Sequence, residues 1–162
     1  NTEHGHQDRN DRDMILMQGE SAIGYVGEKE IVRYDRLDKY KCVTSVIVNN
    51  GALICEDGRV HSKIAVYKLF PYQVPKGSFP VLRYFDTNEE ADSFISYCRT
   101  RLVHFLFICG LSGTTQTKEF WRFVPDPGPF DHIFTDEELY KKYNLTDNEI
   151  DLIESVIKDR TE

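Results

Sequence analysis

The stretch that most restricts the fold is Thr135 to Ile157, TDEELYKKYNLTDNEIDLIESVI, in which one helix-start signal occurs twice. Thr135 has Glu138 three places on and Thr146 has Glu149, so each hydroxyl and carboxylate can satisfy the unpaired backbone donors of a first helical turn. Two short helices, back to back, are expected. In the second, Ile150, Ile153 and Ile157 recur at helical spacing, Leu152 and Val156 widen the stripe, and Asp147, Asp151, Glu154 and Lys158 take the other face. Such a face must be covered, and the simplest cover is the hairpin's own domain.

Upstream, the pattern alternates between strand and helix. Apolar residues from Met14 to Val26 cluster around Gly19 and Gly24 and predict two strands with a turn at Gly19. Glu28 to Tyr40 reads as a strand end and a short helix. KCVTSVIV, Lys41 to Val48, is the clearest strand, and Asn49-Asn50-Gly51 signals a hairpin to a partner at 52–55. Glu56-Asp57-Gly58 turns the chain toward a strand from Ile64 to Phe70, which Pro71 ends. Residues 71–80, with three prolines and Gly77, read as a loop, and Val81 to Phe85 as a strand. Thr87 with Glu90 makes a third capping box ahead of Ala91, Phe94, Ile95, Cys98, Leu102 and Phe105, which mark one face of a central helix or pair of helices. Glu119 to Val124 predicts a last strand. The class is α+β: a mixed, mostly antiparallel twisted sheet on a central helix, with a C-terminal helical hairpin. Residues 1–13 read as a frayed or linker segment, 14–124 as the main domain and 125–162 as the hairpin packed on it. Asn1 and the charged run after it suggest a piece cut from a longer polypeptide.

At 162 residues the chain can bury roughly 70% of its unfolded surface, enough for a core without metals or staples. Cys42, Cys55, Cys98 and Cys109 are irregularly spaced, with no CxxC pair to close a zinc site, and read as free, mostly buried thiols in a reducing cytoplasm. No window approaches a membrane span or a signal peptide. The net charge of −7 is confined to the tail, where residues from Pro125 onward hold 11 acidic and 4 basic side chains against 16 of each before it. Residues 29–83 hold 10 basic and 5 acidic groups. One basic face and one acidic hairpin suit a chain that meets phosphates on one side.

Catalytic signatures are missing. There is no Gly-rich cofactor turn and no Asn-Pro-Pro-aromatic loop; Asp126-Pro127-Gly128-Pro129-Phe130 comes nearest and reads as a turn. No Asp or Glu stands two places before a Lys, as a metal-dependent restriction nuclease would require. Ser112 lacks a nucleophile-elbow setting, His104 sits in an apolar run as a core residue, and Glu89-Glu90 and Glu137-Glu138 fall in first helical turns, where the backbone dipole favours anions.

FVPDPGPFDHIFTDEELYKKYNLTDNEIDLIESVIK resembles the closing segment of N6-adenine DNA methyltransferases of restriction-modification systems. NEEADSFISYCRTRLVHFL, Thr115-Gln116 and Phe120 to Pro125 resemble the blocks preceding it, so the likeness runs from about Tyr84 to Lys158. The resemblance implies a TaqI-like target-recognition domain of prokaryotic origin that reads double-stranded DNA. It catalyses nothing and carries no cofactor itself, while the parent, a site-specific adenine methyltransferase or methylase-endonuclease fusion, uses S-adenosylmethionine. Beside it, the residues alone nominate Arg33, Arg36, Lys39, Lys41, Arg59, His61, Lys63 and Lys68 as DNA contacts, interleaved with Tyr34, Tyr40, Tyr67 and Tyr72. Arg reads guanine bidentately and Lys or Tyr anchors phosphates. The alternative is a protein-interaction module whose apolar hairpin docks the parent's catalytic domain.

Overall fold

Gly19 turns the chain back on itself with φ of 59°, a left-handed value that glycine takes without steric cost. The apolar residues on either side become β1 (Met14–Gln18) and β2 (Ser21–Val26), paired antiparallel. The computed structural model describes residues 5–8, 13–31, 34–46, 58–60, 64–110 and 118–158. Two compact units interleave along the sequence: Asn1–Val46 with Ala65–Ile95, and Ile47–Ile64 with Ser96–Glu162.

The first unit holds both sheets. His6 exchanges backbone bonds with Tyr25, N–H to O at 2.9 Å in each direction. The polar opening that reads as frayed therefore contributes a bridge alongside β2. On the other side of β1 runs a short parallel strand, Gln73–Pro75, in a segment whose prolines read as loop. Its bonds fall on Tyr72, whose carbonyl accepts from Ile15 N–H at 3.2 Å, and on Lys76, whose N–H donates to Met17 O at 2.8 Å. Alternation then turns the proline nitrogen of Pro75 away from the ladder, where a missing N–H costs nothing.

In chain order the remaining strands are β3 (Tyr40–Thr44), β4 (Val66–Leu69), the short strand just described as β5, and β6 (Val81–Phe85). β3 is central in the second sheet and antiparallel to both β4 and β6. Its two faces go different ways. Val43 and Leu69 bury themselves with Met17 of β1, with Tyr67, Phe79 and Val81 around them, so the sheets share an apolar layer. Cys42 faces helix α1 (Asn88–Cys98), its thiol donating to Ala91 O at 3.7 Å, and Phe85 packs on Phe94 with ring centroids 5.5 Å apart. α1 starts with the expected capping box: Glu90 N–H donates to Thr87 Oγ1 at 3.2 Å and Glu90 Oε2 accepts from Thr87 N–H at 3.0 Å.

In the second unit, Thr100 caps α2 (Arg101–Cys109) by accepting from Val103 N–H at 3.4 Å, which makes the central helix a pair. Leu102, Val103, His104 and Phe107 are buried. Where a strand is expected at Glu119 to Val124, the chain makes a 3₁₀ turn, Lys118–Trp121. Phe107 explains it, because both Phe120 and Trp121 set rings against it, at 5.8 and 5.1 Å, and adjacent strand residues would point to opposite sides. Asp126 Oδ1 accepts from Gly128 N–H at 3.0 Å and Gly128 takes φ of 100°, so the Pro-Gly-Pro segment is the turn expected. Helices α3 (Asp136–Lys142) and α4 (Asp147–Val156) follow.

Thr146 and Glu149 form the full box. Thr135 makes only half of one: its hydroxyl accepts from Glu138 N–H at 3.3 Å, but the Glu138 carboxylate takes His132 Nε2 at 2.8 Å instead of the cap N–H. The isoleucine stripe is also narrower than expected, since Ile153 and Ile157 are buried while Leu152 is 52% exposed. α4 is fixed at its end, where Val60 N–H donates to Val156 O at 2.6 Å and Lys158 N–H to Val60 O at 3.3 Å. The α+β class and the C-terminal hairpin are as expected, with two three-stranded sheets in place of one. The Asn49-Asn50-Gly51 turn, its partner at 52–55 and the loop before Lys118 lie outside the described residues. Among the described residues no helix is long and apolar enough to cross a membrane.

Candidate nucleic-acid interface

Of the nominated residues, Arg36, Lys39, Lys41 and Lys68 fall in the first unit and Arg59 in the second, while Arg33, His61 and Lys63 lie outside the described residues. Strand register sorts the lysines. Cys42 is opposite Lys68 on one side and Arg83 on the other, so these three share the face toward α1. Lys68 Nζ reaches Asn88 Oδ1 at 2.8 Å and Asp92 Oδ1 at 2.5 Å, and lies 5.6 Å from the Phe70 ring centre. Lys39 pairs with Asp86, and that hydrogen bond, more than the Coulomb attraction, raises its pKa.

Lys41 must be corrected outright. It is 4% exposed, with Nζ donating to Leu37 O at 3.0 Å and Lys39 O at 2.8 Å. Burial pushes the ammonium down to about 8. A side chain so enclosed ties backbone together and offers nothing to a phosphate. Lysine stems bury readily along apolar surface, and on the middle strand of a sheet covered on both faces no outward position is left. Arg59 is half-buried beside the Val60 bridge, with interactions of its own.

Arg36 remains open. Its side chain is 47% exposed, has Asp35 at 3.7 Å and lays its guanidinium 4.9 Å from the Tyr84 ring centre. Sequence reasoning missed three neighbours in this unit: Arg83, exposed with its guanidinium 5.8 Å from the Phe85 ring centre; Tyr84; and Phe70, 49% exposed and edge-on to Tyr40 at 5.9 Å. The signal for Arg83 and Tyr84 is the alternation of Val81 to Phe85, which puts Arg83 and Phe85 on one face and Tyr84 on the other. The Arg36 guanidinium over the Tyr84 ring can still turn N–H groups toward a carboxylate, phosphate or base edge.

Among the described residues no group of three or more His, Cys, Asp or Glu side chains is arranged to hold a metal ion. In the second unit a shallow, open groove of about 530 Å³ runs along the hairpin, lined by Glu137, Tyr140, Lys141, Asn144, Leu145 and Ile150. Comparison of the chain with protein-family models, with curated proteins and with solved structures gave no match.

Proposed function

We propose that this chain is a target-recognition domain that reads double-stranded DNA for an N6-adenine methyltransferase of a restriction-modification system and performs no chemistry itself. The observation that carries the reading is Arg36, whose side chain is 47% exposed with its guanidinium 4.9 Å from the Tyr84 ring centre. A guanidinium that rests over a ring loses less entropy when its N–H groups meet a base or phosphate. The methyltransferase-like blocks from Tyr84 to Lys158 support it from the sequence. On this reading S-adenosylmethionine belongs to the catalytic domain it serves, in a prokaryotic cytoplasm.

Fluorescence anisotropy with a mixed-sequence duplex across a salt series tests it. The unaltered chain should bind with affinity that falls as salt rises, and Arg36→Gln should flatten the log–log slope by about 0.9 for the phosphate no longer neutralised. Absence of duplex binding at low salt would remove the proposal.

One observation favours a second reading, a module that docks a partner protein: Leu152 is exposed and Ile150 lines the open hairpin groove, so part of the apolar stripe stays uncovered by its own unit. Leu152→Asp would then abolish association with the catalytic domain while DNA binding by the isolated chain is unchanged.

A further inference from the structure

The two hairpin helices open on the same Thr-x-x-Glu spacing and close it differently. At Thr146, Glu149 Oε2 accepts from the cap N–H at 2.8 Å, and at Thr87, ahead of α1, Glu90 does the same at 3.0 Å. Thr135 has the extended backbone of Thr146 and its hydroxyl already holds Glu138 N–H, so a side-chain rotation of Glu138 is all that separates it from a full box. Yet among the described residues nothing accepts from Thr135 N–H.

His132 keeps the carboxylate away. Its Nε2 meets Glu138 Oε1 at 2.8 Å and its Nδ1 meets Asp131 Oδ1 at 2.7 Å, an arrangement that needs a proton on both nitrogens. Once one proton leaves, the ring has a single donor and turns a lone pair on one of the two carboxylates. Asp131 is adjacent in the chain, and its bond is the larger cause of the raised histidine pKa, so it keeps its place; Glu138 has another donor within reach. The other charges of α3 are engaged elsewhere: Asp136 takes Leu102 N–H at 3.2 Å, Lys142 reaches Pro127 O, and Glu137 and Lys141 line the hairpin groove. Phe134, whose ring centre lies 4.3 Å from that of His132, brings no charge. We propose that the Glu138 carboxylate changes hands with pH: held by the His132 imidazolium when the ring is charged, it passes to Thr135 N–H and completes the α3 capping box when the ring is neutral. α3 is capped in both states. What deprotonation removes is the tie between α3 and the turn before it, so the turn carrying Ile133, 61% exposed, is loosened while Phe134 N–H still donates to Ser96 Oγ at 3.0 Å. The device is independent of the DNA reading.

Amide NMR of the unaltered chain from about pH 5.5 to about pH 8.5 tests it, with hydrogen exchange read at each pH and corrected for the intrinsic rate. Thr135 N–H should move downfield and exchange about fivefold more slowly as His132 loses its proton, with the same midpoint, as one new capping bond requires. Thr146 N–H, capped without a histidine, should stay constant and reports that the hairpin is folded. His132→Ala should give Thr135 the slow, downfield amide at every pH. Glu138→Ala keeps a titrating His132 beside Asp131 but should leave the Thr135 amide without a transition, which separates partner exchange from the field of the ring. A Thr135 amide that stays constant while His132 titrates, responds equally in Glu138→Ala, or remains unprotected in His132→Ala would overturn the proposal.

Discussion

Lys41 and Tyr72 donate to the same oxygen. The Leu37 carbonyl receives the Lys41 ammonium at 3.0 Å and the Tyr72 N–H at 2.9 Å, so the buried cation props the backbone on which the turn at Tyr72 rests.

A pH dependence follows from that burial. Desolvation lowers Lys41 from 10.5 to about 8, opposed by the attraction of Asp38. Between those values the unfolded chain binds a proton that the folded chain does not, so stability should rise with pH across this window, by at most about 3 kcal/mol. Below it both states are protonated and the slope vanishes. Urea unfolding at a series of alkaline pH values reads the effect, and Lys41→Met should remove it; an unchanged slope in that variant would show that another group titrates.

At Gly110 an added Cβ would sit 2.6 Å from the Phe120 carbonyl oxygen and 3.0 Å from its Cα. Both obstacles are backbone, which cannot swing aside as a side chain would. Gly110→Ala should therefore destabilise by about 1–3 kcal/mol, although alanine favours the helical backbone there. Thermal unfolding equal to that of the unaltered chain would mean that the 3₁₀ turn moves freely off α2.

The cysteines should differ sharply in reactivity. Burial pushes the Cys42 thiol up to about 12, Cys98 is also buried, and Cys109 is exposed. Brief iodoacetamide treatment of the native protein, followed by peptide mass mapping, should label Cys109 and spare the other two. Labelling of Cys42 at the rate of Cys109 would contradict the packing of β3 on α1.

His132 lies between two carboxylates, Asp131 Oδ1 at 2.7 Å from Nδ1 and Glu138 Oε1 at 2.8 Å from Nε2. Only the doubly protonated ring donates to both. Its pKa is raised, chiefly by the hydrogen bond to Asp131 and then by that to Glu138. The stabilisation is complete below the ordinary histidine value of about 6.5 and lost as pH rises through the raised one. NMR titration of the imidazole should show the elevation, and Asp131→Asn and Glu138→Gln should each bring it down. A normal midpoint in the unaltered chain would leave the two interactions without energetic weight.

Local signals are legible where local chemistry decides the structure. Thr87 with Glu90, Thr146 with Glu149, and the Gly19 turn all do what their spacing says, because each element is closed by residues within a few positions of one another. The strand at Gln73–Pro75 is illegible because its pairing partner is β1, and the turn at Phe120 because its ring answers to Phe107. For the site, composition overcounts. The basic run from 29 to 83 gives no hint that Asp86 and Asp92 come to neutralise Lys39 and Lys68, or that Lys41 is enclosed. Glu138 is the same lesson at smaller scale: the capping spacing is present, and His132 takes the carboxylate.

The parallel pairing of Ile15 with Gln73 also orders events in time. The β1–β2 hairpin can close as soon as Val26 has left the ribosome, whereas the other edge of β1 stays without its partner until the whole of β3 and β4 has been made. Until then its backbone is an open edge, and a nascent chain stalled in that interval would be exposed to strand exchange with its neighbours.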